Sequence, residues 1–226
     1  MRYANNETMI QNLGTQNTLF NQFFSELRDE NIQKDRMRFR KNLQRMGEIF
    51  AYEISKKMPY QTKDVKTPLG TKSMELLAEQ PVICSILRAG VPLHEGLLSY
   101  FDHADNGFIS AYRKHEDSGE ITIRMDYVAT PEIENRVMIL CDPMLATGAS
   151  MLASYQALCE LGKPRHTHIV TVVSHQKAID FLQANIPSDD ITIWVGGIDE
   201  KLSPHSYIIP GLGDAGDLAY GPKMQN

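Results

Sequence analysis

What the chain has little of narrows its role first. Among 226 residues there are three cysteines and one tryptophan. Cys84, Cys141 and Cys159 are odd in number and scattered through apolar segments. No disulfide framework is expected from them: such thiols serve as small hydrophobes, and a reducing cytoplasm is the expected setting. Basic charge is not in excess, with 23 Lys and Arg against 28 Asp and Glu and a net charge of −5. That argues against general nucleic-acid binding. The longest apolar runs, such as residues 137–141, are far too short to cross a bilayer, so no membrane association is expected. Residues 1–18 are mostly Asn, Gln and Thr and hold no charged-then-apolar pattern, so no export signal is expected either. Zinc spacings are absent: neither Cys-x-x-Cys nor His-Glu-x-x-His occurs, and His166 and His168 merely alternate along a strand-like segment. No Ser-His-Asp nucleophile pattern stands out.

What is present suits one α/β domain with an additional segment, at 42% apolar residues. Residues 1–34 read as an N-terminal arm in which Leu19, Phe20, Phe23, Phe24 and Leu27 form one apolar stripe, so part of the arm is expected to dock. A helix follows, because Phe39, Leu43, Met46, Phe50 and Ile54 recur at three- and four-residue steps up to Pro59. Arg36, Arg38, Arg40, Lys41 and Arg45 crowd its first half, as a solvated face or as an anion or subunit contact. From residue 81 strand and helix patterns alternate. Residues 81–87, 136–141, 168–173 and 191–195 read as buried strands, and 107–112 as a short one; helices are expected over 91–101, 149–161 and 176–184. Residues 113–130 are polar and then alternate through Ile121, Ile123, Met125 and Tyr127, a hairpin expected outside the main sheet. The order implies an α/β fold with a mainly parallel, doubly wound sheet, a protruding β-hairpin flap and an N-terminal helical arm. Ligands in such sheets bind beyond the carboxyl ends of the strands.

The strongest chemical signal lies at one such end. The apolar residues 137–141 run into Asp142, then Pro143, Met144 and Leu145, then the small-residue loop Ala146, Thr147, Gly148, Ala149, Ser150 opening onto a helix. Consecutive amides at a helix start, aided by the Thr147 and Ser150 hydroxyls, suit a phosphate. Alone, the loop is equally a strand–turn–helix junction with a Thr or Ser cap. Asp142 points to more, since a carboxylate beside a phosphate cradle can accept from the 2′ and 3′ hydroxyls of a ribose 5-phosphate. Arg88 follows another buried strand and precedes Ala89 and Gly90, where a guanidinium either joins a surface salt bridge or grips anionic oxygens in a fork. Gly90 suits unusual backbone angles or close approach of a ligand.

Three segments, Ile86-Leu87-Arg88-Ala89-Gly90, residues 142–150 and residues 207–217, resemble in order and spacing the pyrophosphate loop, the loop for 5-phosphoribosyl-1-pyrophosphate (PRPP) and the uracil-binding tail of the uracil phosphoribosyltransferases. The similarity spans about residues 36–221. It implies a type I phosphoribosyltransferase domain over 35–226, with the flap at about 113–130 and the tail at 207–221. The implied activity is pyrimidine salvage, uracil and PRPP giving UMP and pyrophosphate. Implied roles follow. Arg88, Asp142 and Asp214 are the catalytic group. Arg113 on the flap, residues 143–150 and Asp214 add PRPP contacts. Ile208, Gly213, Asp214 and Ala215 read uracil, largely through backbone groups. Mg²⁺, held mostly through PRPP and by Asp214, is the implied cofactor, and at least a homodimer the implied assembly.

Two departures from the family pattern stand out. Ala149 replaces a usual glycine, harmless if its backbone is right-handed, as expected at a helix start. Residues 218–221, Leu-Ala-Tyr-Gly, replace a basic residue and Phe-Gly. With the divergent arm and hairpin, these leave regulation such as GTP activation open. The competing readings are a transferase for another base, against which the tail argues, and an RNA-binding regulator on the same scaffold, for which the arginines of 36–45 are the candidate face.

Overall fold

The computed structural model describes residues 9–115 and 121–224, with the side chains of 111–115 and 121–125 outside the description. Its strands and helices are β1 (Ile10–Asn12), α1 (Leu19–Arg28), α2 (Arg36–Ser55), β2 (Tyr60–Thr67), β3 (Gly70–Leu77), β4 (Val82–Leu87), α3 (Val91–Tyr100), β5 (Asp105–His115), β6 (Ile121–Ala129), β7 (Val137–Cys141), β8 (Met144–Leu145), α4 (Ala149–Glu160), β9 (His166–His175), α5 (Gln176–Asn185), β10 (Ile191–Asp199), β11 (Lys201–Leu202), β12 (Ile208–Ile209) and α6 (Ala215–Tyr220).

The main sheet runs β1-β10-β9-β7-β4-β5-β6, with β8 beside β9. Every pairing is parallel except β5 with β6. Strand alternation sorts the apolar side chains into two layers. Ile83, Ile139, Val170, Val172 and Trp194 face α1, α2 and α3. Val82, Cys84, Met138, Leu140, Ile169 and Ile193 face α4 and α5. Continuous apolar runs at β4, β7 and β9 thus reflect burial on both faces. Cys84 lies in the second layer, where burial pushes its thiol up to about 11. On β9 and β10, Trp194 Nε1 donates to His168 Nδ1 at 3.1 Å, and the His166 and His168 rings lie 4.9 Å apart. Burial lowers the pKa of both imidazoles.

After β4 the chain moves outward to β5; after β7, on the other side of β4, it moves through α4 to β9 and β10. The direction reverses between β4 and β7, which makes their carboxyl ends the topological switch point where α/β sheets bind ligands.

Three features depart from expectation. The hairpin is continuous with the sheet: residues 105–110 of β5 pair with β4, and beyond an irregularity at Ser110/Ala111 the same strand runs on as a ribbon with β6. The register shift there leaves the pairing of β5 with β6 unbroken on either side. Residues 60–77 form a second, separate hairpin, β2 with β3. The arm docks as its apolar stripe implies, with Phe20 and Leu27 fully buried, but beyond that expectation β1 adds a parallel edge strand to β10. The α2 arginines are largely engaged within the chain. Arg38 pairs with Glu26, Arg45 lies over the Phe23 ring, and Arg40 Nη1 donates to the Ala219 carbonyl. Among the described residues no helix is long and apolar enough to cross a membrane.

Candidate active site

Arg88 leaves β4 through a cis Leu87–Arg88 peptide. Gly90, two residues on, has an ordinary backbone at φ −69°. Its need is space: a Cβ there would lie 2.5 Å from Ser85 Oγ and 2.9 Å from the Cys141 carbonyl oxygen. The glycine thus lets the Arg88 turn close onto the end of β7.

From that end, Asp142 starts a loop tied along β9. Asp142 N donates to Val170 O at 3.1 Å, and Val172 N and Val173 N both donate to Pro143 O. Met144 and Leu145 pair with Val173 and Ser174. The Asp142 carboxyl accepts from Met144 N at 3.4 Å. Burial pushes its pKa up to about 7, opposed by that amide and reinforced by the charge of Asp214. Ala146 and Thr147 then lead to Gly148, whose left-handed backbone (φ +85°) turns the chain into α4. Ala149 and Ser150 open that helix, so the left-handed angle falls on the glycine and Ala149 is helical, as expected. Thr147 Oγ1 accepts from Ala149 N at 3.5 Å at the start of α4, and the first turn holds no acidic residue, so its other amides and hydroxyls suit an anion.

The tail is more regular than its glycine content suggests. Ile208 and Ile209 pair with β11, and Asp214 caps a short helix by accepting from Asp217 N at 2.9 Å. Ile208, Leu212, Ala215 and Ala219 are buried in the core, which orders the segment. Gly211 and Gly213 supply the positive φ angles between β12 and α6, at +57° and +91°. A groove of about 500 Å³ runs along the outer side, lined in part by Arg28, Pro210, Leu212, Gly213 and Asp214.

The Arg88 turn meets the tail directly. Arg88 Nη2 donates to Asp217 Oδ1 at 3.3 Å and to the Gly221 carbonyl at 3.2 Å. A Cβ on Gly216 would lie 3.2 Å from Asp214 Oδ1 and 3.9 Å from Arg88 Nη2. Arg88, Asp142 and Asp214, read from separate motifs, therefore converge at the switch point. Arg113 lies on the ribbon opposite Ile123, with its side chain outside the described residues. Sequence reasoning missed Asp217, the partner of Arg88, and the pair Arg28 and Asp199 beneath the tail. Arg28 Nη1 and Nη2 donate to Asp199 Oδ2 and Oδ1 at 2.7 and 2.9 Å. Their only sequence signals are Asp199 closing an apolar strand and Arg28 following the arm's apolar stripe.

A strand-end carboxylate, a small-residue loop entering a helix and an arginine turn at the switch point together define a phosphoribosyltransferase. Comparison with known proteins makes this particular. The family model for uracil phosphoribosyltransferase matches residues 14–222. A uracil phosphoribosyltransferase of Porphyromonas gingivalis is 50% identical over 212 residues, 94% of this chain and 98% of that one. One from Pyrococcus furiosus is 36% identical over 207 residues, 90% of this chain and 87% of that one. Among solved structures, the AQ2163 protein of Aquifex aeolicus superposes with a TM-score of 0.82 at 28% identity, covering 94% of this chain and 98% of that chain. The chain belongs to the uracil phosphoribosyltransferase family.

Proposed function

We propose that this chain joins uracil to PRPP, giving UMP and pyrophosphate. The bond from ribose C1′ to the pyrophosphate oxygen breaks, a bond from C1′ to uracil N1 forms, and the N1 proton passes to solvent. The observation that carries the reading is the meeting of Arg88, Asp142 and Asp214 at one switch point, beside a helix start whose first turn holds no acidic residue.

Each group has work suited to its chemistry. The Arg88 guanidinium neutralises the departing pyrophosphate. Asp142, ionised, accepts from the ribose hydroxyls and, with Pro143, Met144 and Leu145, fixes the sugar. Ala146, Thr147, Gly148, Ala149 and Ser150 hold the 5′-phosphate at the start of α4. The Ile208 carbonyl accepts from uracil N3–H, and the amides around Gly213, Asp214 and Ala215 donate to the base oxygens. Arg113 adds a PRPP contact from the ribbon, which closes to exclude water from the activated C1′. Uracil N1 is the attacking atom, so the work of these groups is positioning and charge stabilisation.

Mg²⁺ fits this donor set. Asp142 and Asp214 offer two carboxylate neighbours, and among the described residues no three His, Cys, Asp or Glu side chains group to hold a metal by themselves. Carboxylates complemented by phosphate oxygens and water suit this ion. Asp214 would hold it from the base side, and it would neutralise charge on the pyrophosphate. The reading extends to a cytoplasmic homo-oligomer, at least a dimer.

The test is formation of UMP and CMP from PRPP with equal concentrations of uracil and cytosine. Cytosine reverses donor and acceptor at N3 and at the exocyclic position. Two unsatisfied contacts at roughly 1–3 kcal/mol each give on the order of a hundredfold preference for uracil. Comparable use of cytosine, or no nucleotide formed from uracil, overturns the proposal.

A further inference from the structure

We infer that Arg28 and Asp199 are positioning residues for base recognition, acting on the backbone of Gly211. The inference rests on reading the tail as the base site.

Both polar groups that Gly211 brings to the turn are taken by this one pair. Gly211 N donates to Asp199 Oδ2 at 2.8 Å, and the Gly211 carbonyl accepts from Arg28 Nη1 at 2.9 Å. The two side chains hold each other in a fork at 2.7 and 2.9 Å, with Asp199 the better buried. Gly211 is the hinge of the segment. At φ +57° it folds so tightly over Ile208 that a Cβ would lie 2.1 Å from the Ile208 carbonyl oxygen. The directions of the Ile208 carbonyl and the Gly213 amide, the groups assigned to the base, therefore follow from where the Gly211 peptide is held.

The pair is itself fixed from behind. The Arg28 guanidinium lies 4.2 Å from the centre of the Phe24 ring. Gly197 on β10 leaves room for both: a Cβ there would meet Phe24 Cε1 at 2.6 Å and lie 3.4 Å from Arg28 Nη2. Bulk docking of the tail does not depend on the pair, because Ile208, Leu212, Ala215 and Ala219 already anchor it in the core. What the fork adds is the orientation of one peptide, through geometry that a lysine ammonium cannot reproduce.

The test uses the full chain with Arg28→Lys, Arg28→Met and Asp199→Asn, read by steady-state KM for uracil and for PRPP, kcat, the UMP to CMP ratio and Tm. The expected result is a uracil KM raised on the order of tenfold in Asp199→Asn and Arg28→Met, less in Arg28→Lys, with PRPP KM within about twofold and a lower UMP to CMP ratio. If Arg28→Met does not fold, the two milder variants decide. An unchanged uracil KM, or losses in both KM values and kcat that simply track Tm, overturns the positioning role. A parent that forms no UMP from uracil and PRPP overturns the base-site reading instead, so the two failures are distinct.

Discussion

Two residues at the switch point lend themselves to separate tests. Arg88 lies half-exposed against Asp217 and the Gly221 carbonyl, so its removal leaves no buried hole. Arg88→Ala is expected to weaken PRPP use by on the order of 1.5–3 kcal/mol, with Tm little changed. A PRPP titration of initial rates checks this, and an unchanged KM removes the assignment. Asp142 answers to pH. Its carboxyl keeps its proton to about pH 7 in the fold, whereas in the unfolded chain it ionises in the ordinary carboxylate range. Between those limits the unfolded state binds fewer protons, so this group's contribution to stability falls as pH rises and is least favourable above about 7. Asp142→Asn should therefore raise the Tm of the ligand-free protein at about pH 8 and hardly at about pH 4. PRPP affinity should rise more steeply across the same interval in the parent than in the variant, the ionisation of the phosphates, with a pKa of about 6, being common to both. A variant less stable than the parent at the higher pH refutes the burial argument.

The loop between β7 and α4 is the element most open to dissection. Thr147→Val should weaken UMP and PRPP, which share the 5′-phosphate, and leave pyrophosphate binding nearly intact. Gly148→Ala should do the same more severely: a left-handed backbone costs a Cβ-bearing residue about 1–2 kcal/mol, and the new Cβ would lie 2.8 Å from Phe181 Cδ1. Calorimetry on the three ligands decides; UMP bound by both variants as tightly as by the parent would mean that the phosphate sits elsewhere. This loop was legible in the sequence because strand, acid, small residues and helix follow within one short stretch. The parallel core was legible for a similar reason, its strands being buried on both faces. The hairpin of β2 and β3 was not, since it is exposed along nearly all its length and shows no apolar alternation. Strand β1 escaped because three residues carry no period and only the pairing with β10 makes them a strand. The short helix α6 was hidden by Gly216 and Gly221, although Asp214 three residues before Asp217 is a capping signal. Arg28 and Asp199, 171 residues apart, left no mark that local reasoning could join.

At the scale of the molecule, the N-terminal segment belongs to the core. Phe20 is fully buried and stacks edge-on against Phe50 at 5.2 Å. Phe20→Ala is expected to lower stability by about 3–5 kcal/mol in chemical denaturation. A loss under about 1 kcal/mol, the level of an average substitution, would mean that the arm is only loosely docked. The same arrangement sets an order of events during synthesis. Ile10, Phe24 and Arg28 emerge early, yet their partners on β10, Ile193, Gly197 and Asp199, are translated last among the main-sheet strands. At about 5–20 residues per second, the 171 residues between Arg28 and Asp199 leave that face of the arm without its partner for about ten to thirty seconds. A nascent chain of this protein therefore carries part of its aromatic stripe in waiting until β10 is made.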